Sequence, residues 1–272
     1  MIHNTKYRLI IGWLYQELMS TYGDRGNIIA LQKRCEWRGI NAEVLHLDSG
    51  FKIQELKKCD LLFMGGAQDM QQKIVSDDLH PPAGGEKVKV LRKMIEDGIP
   101  GLYICGAYQF LGKYYKEADE TTIPGLNILD LYTENPGENH KRLIGNIVIE
   151  CHPERSEGSL DSSASPQNDK ETTLVGFENH GGRTYLGKNI KPLGKVLTGF
   201  GNNGIDKTEG AIYKNSFGSY LHGPILPKNP HFADHLIKLA LEKKYNETIE
   251  LNPLDDSLEH QAHDFVVRRN TK

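Results

Sequence analysis

The first half of the chain alternates apolar runs with helical patterns. The apolar runs have the length and composition of buried strands and lie at residues 7–15, 42–48, 59–66 and 99–105. Between them, residues 23–39 predict a turn followed by a helix, and residues 84–98 predict a helix that ends at a glycine. This order predicts an α/β fold with a mainly parallel sheet flanked by helices, in which ligands bind at the carboxyl ends of the strands.

The second half is richer in short strands. Strand patterns occur at 142–150, 172–178, 194–200 and 209–223, and residues 229–245 predict the last long helix. We therefore predict one domain over residues 1–245, followed by a polar C-terminal tail at 246–272 with a short final helix.

Residues 151–171 interrupt this pattern. They are rich in serine and charge, lack apolar periodicity, and separate two strand patterns that would otherwise join. We interpret them as a disordered surface insertion, and Cys151, His152 and Glu154 as loop residues rather than metal ligands.

Cys105 ends a predicted strand and is followed at once by Gly106 and a helical pattern. A thiol in such a turn lies above the sheet edge, where the helix N-terminus and the Gly106 amide can stabilise a thiolate and a tetrahedral oxyanion. The alternative is a buried structural cysteine, which is common, and the turn by itself does not exclude it.

His222 offers the cysteine a partner. It follows the strand pattern of "SFGSYLHG" and precedes a Gly–Pro turn, so we expect it at a strand end that faces Cys105. The chain contains 11 histidines, and this context is what distinguishes His222 from the others.

Two glycine-rich stretches could bind anionic groups. Gly65 and Gly66 follow a buried strand, so their amides are candidate donors to an oxyanion, although a plain strand-to-helix turn fits as well. "GFGNNG" (199–204) has the letters of a dinucleotide fingerprint, but a strand pattern follows it, which favours a hairpin loop. Because the sequence contains no GxxxxGK[ST] segment, we predict that this chain binds no ATP of its own.

Composition narrows the class of protein. The 272 residues are 38% hydrophobic and 25% charged, and the net charge of −3 argues against nucleic acid or a membrane surface as the main partner. The four cysteines form no CxxC pair and no metal-ligand spacing, so we expect free thiols, no metal and a cytoplasmic setting. No apolar run approaches the roughly 18 residues that a transmembrane helix needs.

The sequence resembles the class I, or triad-type, glutamine amidotransferases. "CGAYQ" at the elbow, the upstream Gly–Gly turn and the late "YLHGP" are similar to that superfamily, and the nearest branch is that of the cobyric acid synthase-like glutaminases. Within it, "LMSTYGDRGNIIAL", "KRLIGN", "GFENHGGRTYLG" and "GSYLHGPILPKNP" resemble the GatD family, the glutaminase subunits of lipid II isoglutaminyl synthase. The resemblance spans residues 8–245 apart from the insertion, and it implies a flavodoxin-like sheet.

The resemblance implies a glutaminase that is one subunit of a glutamine-hydrolysing carbon–nitrogen ligase. Cys105 would attack the side-chain amide of L-glutamine, with His222 as general base and then acid. The amide of Gly106 and one from Gly65 or Gly66 would form the oxyanion hole. Arg142, in "KRLIGN", matches a position linked to glutamine binding, and a guanidinium suits the α-carboxylate of the substrate.

The resemblance also implies a partner. In the GatD family, ammonia passes to a MurT-like Mur ligase subunit, which uses ATP to amidate the α-carboxylate of D-glutamate in lipid II. A heterodimer that acts in peptidoglycan synthesis is therefore expected.

Two departures from related sequences bear on activity. Ala107 stands where many relatives have a second glycine, and a position that required positive φ would strain it. Many class I glutaminases also place a glutamate two residues after the histidine, where this chain has Pro224. In the GatD family an acidic residue of the partner is thought to compensate, so weak activity alone and higher activity in the complex are expected. We interpret Asp24, in "YGDRGN", as the start of a helix rather than as a catalytic group.

Two alternatives stay open. The first is a glutaminase for cobyrinate-type amidation, where the synthetase is normally fused, and the lack of an ATP-binding signature disfavours a self-contained synthetase. The second is a non-catalytic binding module on the same fold, which the presence of both Cys105 and His222 disfavours.

Overall fold

The computed structural model describes residues 6–80, 85–137, 139–151 and 173–270. The predicted insertion, with His152 and Glu154, lies outside the described residues apart from its first residue, Cys151.

The described strands are numbered in chain order. They are β1 (Arg8–Leu14), β2 (Asn41–Leu47), β3 (Leu61–Met64), β4 (Gly101–Ile104), β5 (Tyr114–Lys116), β6 (Thr122–Pro124), β7 (Leu131–Glu134), β8 (Leu143–Glu150), β9 (Thr173–His180), β10 (Arg183–Leu186), β11 (Gly194–Thr198), β12 (Thr208–Glu209), β13 (Ala211–Tyr213) and β14 (Ser216–Ser219).

The helices are numbered in the same way. They are α1 (Arg25–Trp37), α2 (Ile53–Leu56), α3 (Asp69–Leu79), α4 (Gly85–Glu96), α5 (Gly106–Phe110), α6 (Pro230–Tyr245) and α7 (Ser257–Asn270), and short 3-10 turns cover Thr21–Gly23 and Leu226–Lys228.

A six-stranded sheet positions the candidate site. Its order is β13-β14-β4-β3-β1-β2, and every neighbouring pair is parallel except β13 with β14. β3 and β4 are buried along their whole length, as expected for central strands covered on both faces. Helix α6 packs against α1, β1 and β3, while α2, α3 and α4 pack among themselves. The predicted α/β class with a mainly parallel sheet is confirmed.

Two four-stranded sheets account for the strand-rich second half. Their orders are β10-β7-β5-β6 and β12-β11-β8-β9. Strands β8 and β9 pair antiparallel over eight residues each, which brings the two sides of the predicted insertion together. The "GFGNNG" stretch joins antiparallel β11 and β12, as predicted for a hairpin loop, and no helix follows it.

The C-terminal segment packs on the rest of the chain. Helix α7 contacts β8 and β9. Ahead of it, Asp256 accepts hydrogen bonds from the buried Arg34 of α1 at 2.6 and 2.8 Å, and Arg34 also binds Asp234 of α6. This ion cluster ties the residues before α7 to the helices that cover the sheet.

Candidate active site

Strand register brings the predicted cysteine and histidine to one edge of the sheet. Strand β14 lies parallel to β4, with Ser219 level with Ile104, and the Cys105 amide donates to the Ser219 carbonyl at 2.8 Å. Cys105 therefore lies beside Tyr220, and His222 follows two residues later. The backbones of His222 and Phe177 form two hydrogen bonds, at 2.8 and 3.1 Å, which fix His222 against β9.

Cys105 occupies a sharp turn between β4 and α5. Its φ of 50° and ψ of −106° are unusual for a residue with a side chain, and such conformations are typical of nucleophile elbows. The next residue, Gly106, begins α5, so its amide has no helical acceptor. A Cβ on Gly106 would lie 2.9 Å from Gln72 Nε2 and 3.0 Å from the Ala67 amide nitrogen, so a larger residue would have to displace these neighbours.

Ala107 is not strained by its backbone. It lies within α5, is fully buried, and is absent from the described residues with positive φ. The positive φ of the elbow falls on Cys105 instead. The concern raised by the replacement of a second glycine therefore does not apply to this turn.

The His222 ring is buried and interacts with both Asp24 and Cys105. Its exposed fraction is 1%, its Nδ1 lies 3.5 Å from Asp24 Oδ1, and it interacts with the Cys105 thiol. Burial is the largest influence and lowers the pKa of His222, but the charges and hydrogen bonds of Cys105 and Asp24 together outweigh it and raise the pKa to about 10. The raised pKa favours the imidazolium form of the His222 ring at neutral pH.

Asp24 is the residue that sequence reasoning missed. It stands at the start of α1, as predicted, but its side chain makes none of the capping hydrogen bonds that an aspartate at this position commonly forms. The side chain is fully buried, and its Oδ2 accepts a 2.6 Å hydrogen bond from the Gly66 amide. The family-like stretch "YGDRGN" was the available signal, and a helix start explained that stretch locally.

Gly66 lies at the centre of this group. A Cβ on Gly66 would lie 2.9 Å from His222 Cε1, 3.3 Å from Cys105 Cβ and 3.4 Å from Asp24 Oδ2. The absence of a side chain is what lets these three residues converge. Because the Gly66 amide donates to Asp24, it is not free for an oxyanion, and among the predicted oxyanion donors Gly65 and Gly106 stay predictions.

Arg142 lies farther out, in the loop before β8. Its side chain is exposed and donates two 2.9 Å hydrogen bonds to Asn179, one to the side chain and one to the carbonyl. A Cβ on Gly181 would lie 3.3 Å from Arg142 Nη1, and a Cβ on the adjacent Gly182 would lie 2.9 Å from Gln109 Nε2. Gln109 lies one helical turn after Cys105. The structure thus places Arg142 beside the turn that borders the elbow, and its role in binding substrate stays a prediction.

A buried polar network surrounds Tyr220, which lies beside Cys105 and two residues before His222. The Tyr220 hydroxyl hydrogen-bonds to Gln109 Nε2 at 3.0 Å and to Thr184 Oγ1 at 2.6 Å, and its ring stacks on that of His180. Glu209 accepts from the Ser219 hydroxyl at 2.8 Å and from the Tyr220 amide at 2.7 Å. Burial raises the pKa of Glu209 to about 8, although these two hydrogen bonds oppose the shift.

Across residues 6–80, 85–137, 139–151 and 173–270, no three or more His, Cys, Asp or Glu side chains are grouped as metal ligands. In the same part of the chain, no helix combines the length and the apolar character needed to cross a bilayer.

Comparison with known proteins agrees with this geometry. Residues 10–230 match the family model for the CobB/CobQ-like glutamine amidotransferase domain. The chain is 41% identical to the "Lipid II isoglutaminyl synthase (glutamine-hydrolyzing) subunit GatD" of Staphylococcus aureus (strain N315), covering 97% of this chain and 96% of the relative. The protein of the same name from Streptococcus pneumoniae (strain ATCC BAA-255 / R6) is 41% identical, over 95% and 90% of the two chains.

A more distant match bears on the alternative function. A probable cobyric acid synthase of Methanothermobacter thermautotrophicus is 31% identical over 78% of this chain, but the match covers only 38% of that protein. The family model and the two full-length relatives together show that this chain belongs to the CobB/CobQ-like glutamine amidotransferase family.

Proposed function

We propose that this chain is the glutaminase subunit of a lipid II isoglutaminyl synthase. It hydrolyses the side-chain amide of L-glutamine and supplies ammonia to a separate Mur ligase-like subunit. That subunit binds ATP and amidates the α-carboxylate of D-glutamate in lipid II, which yields D-isoglutamine for peptidoglycan. The observation that carries the proposal is the pairing of Cys105 with His222 at the elbow, in a chain that matches two GatD subunits over nearly their whole length.

The proposed reaction begins with the thiolate of Cys105. It attacks the side-chain carbonyl carbon of glutamine, and the tetrahedral oxyanion accepts hydrogen bonds from the Gly106 amide and a second donor. The imidazolium of His222 protonates the leaving nitrogen, the C–N bond breaks, and ammonia departs from a γ-glutamyl thioester. His222, now neutral, takes a proton from water, which attacks the thioester and releases glutamate.

Arg142 is the proposed anchor for the substrate. A guanidinium can pair bidentately with the α-carboxylate of glutamine, and Arg142 is held in a defined direction by Asn179. Glutamine bound in this way would extend its side chain past the turn at Gly181 and Gly182 toward the elbow.

Glutamine hydrolysis by the purified chain tests the proposal. The wild type, Cys105→Ala and Cys151→Ala are compared, each with and without the Mur ligase-like subunit. Cys151 is half-buried and lies at the end of β8, which makes it a matched cysteine control. We expect glutamate release to be abolished by Cys105→Ala alone, and ATP-dependent amidation of lipid II to require the second subunit. Glutamate release by Cys105→Ala at the wild-type rate would refute the mechanism.

Amidation of cobyrinate is the second candidate function. The full-length match to GatD subunits, against 38% of the cobyric acid synthase, favours the first. Transfer of ammonia to a cobyrinate acceptor, with none to lipid II, would reverse this choice.

A further inference from the structure

Hydrogen bonds through Gly66 hold Asp24 in the site. The Thr21 amide and hydroxyl both donate to the Gly66 carbonyl, at 3.1 and 2.9 Å, and the Gly66 amide donates to Asp24 Oδ2. Three hydrogen bonds therefore clamp Gly66, in the loop after β3, to the turn before α1. This clamp fixes the position of the Asp24 carboxylate.

The second carboxylate oxygen, Oδ1, faces the histidine. Asp24 Oδ1 is fully buried, and no hydrogen bond to it is formed by other groups in the described parts of the chain. Its neighbour is His222 Nδ1, at 3.5 Å. A buried carboxylate with one oxygen anchored and the other directed at an imidazole has a large electrostatic effect on that ring, because little water screens it.

The placement of Asp24 also fixes which ring nitrogen serves the thiol. Since Nδ1 faces the carboxylate, it carries a proton, and Nε2 is the nitrogen left to exchange protons with Cys105 and the substrate. The titratable groups that act on the ring are Cys105 and Asp24. Helix α1 forgoes a capping bond that is worth about 1 kcal/mol while the carboxylate turns inward.

We propose that Asp24 is the third member of a Cys105–His222–Asp24 triad contained within this chain. As a positioning residue, it orients the His222 ring and stabilises its protonated form, so glutamine hydrolysis needs no carboxylate from a partner subunit. The inference rests on the proposed glutaminase function. Asp24 takes the role that the family resemblance assigned to an acidic residue of the partner subunit.

Alkylation of Cys105 by iodoacetamide tests Asp24 independently of glutamine turnover. The rate is measured from pH 5 to 10 for the wild type, Asp24→Asn and Asp48→Asn. Asp48 also follows a strand of the parallel sheet and accepts a backbone amide, so it controls for the chemical change. We expect Asp24→Asn to lower the alkylation rate at pH 7 on the order of tenfold and to move the pH midpoint upward. Asp48→Asn should match the wild type.

Steady-state kinetics of the chain alone provide the second readout. An asparagine would donate to Nδ1 and stabilise the wrong tautomer, so kcat should fall by two orders of magnitude or more while KM changes little. Identical alkylation profiles for Asp24→Asn and the wild type would overturn the proposal, as would full recovery of Asp24→Asn on addition of the Mur ligase-like subunit. A third outcome separates the two proposals. If Asp24→Asn changes the alkylation profile but the wild type hydrolyses no glutamine, with or without the Mur ligase-like subunit, the proposed function is refuted and the role of Asp24 is supported.

A measurement on the wild type covers the case in which Asp24→Asn does not fold. Nitrogen-15 spectra of the His222 ring should show both nitrogens protonated at pH 8. A ring that is neutral at pH 8 would overturn the proposal.

Discussion

The carboxylate of Asp24 and the imidazole of His222 face each other across 3.5 Å, although they come from opposite ends of the domain. The contact forms because the turn before α1 and the end of β14 both lie at the carboxyl edge of the parallel sheet. Cys105 reaches the same point from β4. The site is therefore a product of sheet topology, with each member contributed by the end of a different segment.

Gly66→Ala should inactivate the site with little loss of fold. The new Cβ would lie 2.9 Å from His222 Cε1 and 3.3 Å from Cys105 Cβ, so the two reacting groups must separate. Misplacement on the scale of 1 Å costs about a hundredfold in rate, and we expect kcat to fall by at least that factor. Gly145→Ala is the matched control because a Cβ there meets no atom within 4 Å. Equal activity in the two variants would contradict the convergence described at Gly66.

Arg142→Ala should raise the KM for glutamine by about ten- to a hundredfold and leave kcat within a few-fold of the wild type. The physical reason is loss of a charged anchor that binds ground state and transition state alike. Lys141→Ala removes the neighbouring exposed charge and should leave KM unchanged. If both substitutions shift KM equally, general electrostatic attraction rather than a specific contact explains the binding.

Glu209→Gln should change how stability depends on pH. The carboxyl group titrates near its usual value of 4.5 in the unfolded chain, whereas burial raises its pKa to about 8 in the folded state. The folded protein thus holds a proton that the unfolded chain releases, so the stability this group contributes is present below pH 4.5 and is lost as the pH rises through 8.

Glutamine mimics the neutral carboxyl and can still accept from Ser219 and Tyr220. We expect the variant to gain on the order of 1–3 kcal/mol in free energy of unfolding, relative to the wild type, between pH 5 and pH 8.5. Urea denaturation at a series of pH values measures this difference. If stability depends on pH in the same way in the two proteins, Glu209 has the same pKa in the folded and unfolded states, and the prediction is wrong.

Arg34→Ala should destabilise the protein by about 3–5 kcal/mol, because Asp256 loses its buried partner and Asp234 keeps its ion pair with Arg38 but loses the one with Arg34. Helix α7 should become more accessible to proteolysis, since the segment before it loses the Asp256 ion pair and keeps the hydrogen bond from Arg38 to the Asn252 carbonyl. Lys33→Ala breaks only an exposed pair with Glu36 and should cost less than about 1 kcal/mol. Chemical denaturation measures the loss of stability, and limited trypsin digestion measures the accessibility of α7. Equal results for the two variants would contradict the prediction.

The sequence predicts the central sheet well because its strands are short, fully apolar runs separated by strong helix and glycine signals. Helix α3 was not predicted, and its composition explains why. Its buried side mixes apolar Val75 and Leu79 with polar Gln72 and Ser76. Apolar Met70 and Ile74 are exposed instead, so the sequence shows no continuous apolar face. Strands β5, β6 and β7 are only three or four residues long and leave little periodicity to detect.

Cys105 and His222 were predicted from motifs that are local in sequence. Asp24 was not, because its partners Gly66 and His222 are remote in the chain and an aspartate before a helix has a sufficient local explanation. Only the pairing of β1, β3 and β14 around β4 reveals the contact. The use of the Gly66 amide is a similar case, since the sequence indicates a glycine turn but not which acceptor its amide meets.

Trapping the acyl-enzyme tests the central claim most directly. The wild-type chain is mixed with L-glutamine, quenched in acid within milliseconds, digested and examined by mass spectrometry. We expect a γ-glutamyl group, glutamine less ammonia, on the peptide that carries Cys105, and no such adduct in Cys105→Ala. Release of glutamate without any adduct on Cys105, or an adduct on Cys35, Cys59 or Cys151 instead, would contradict the claim.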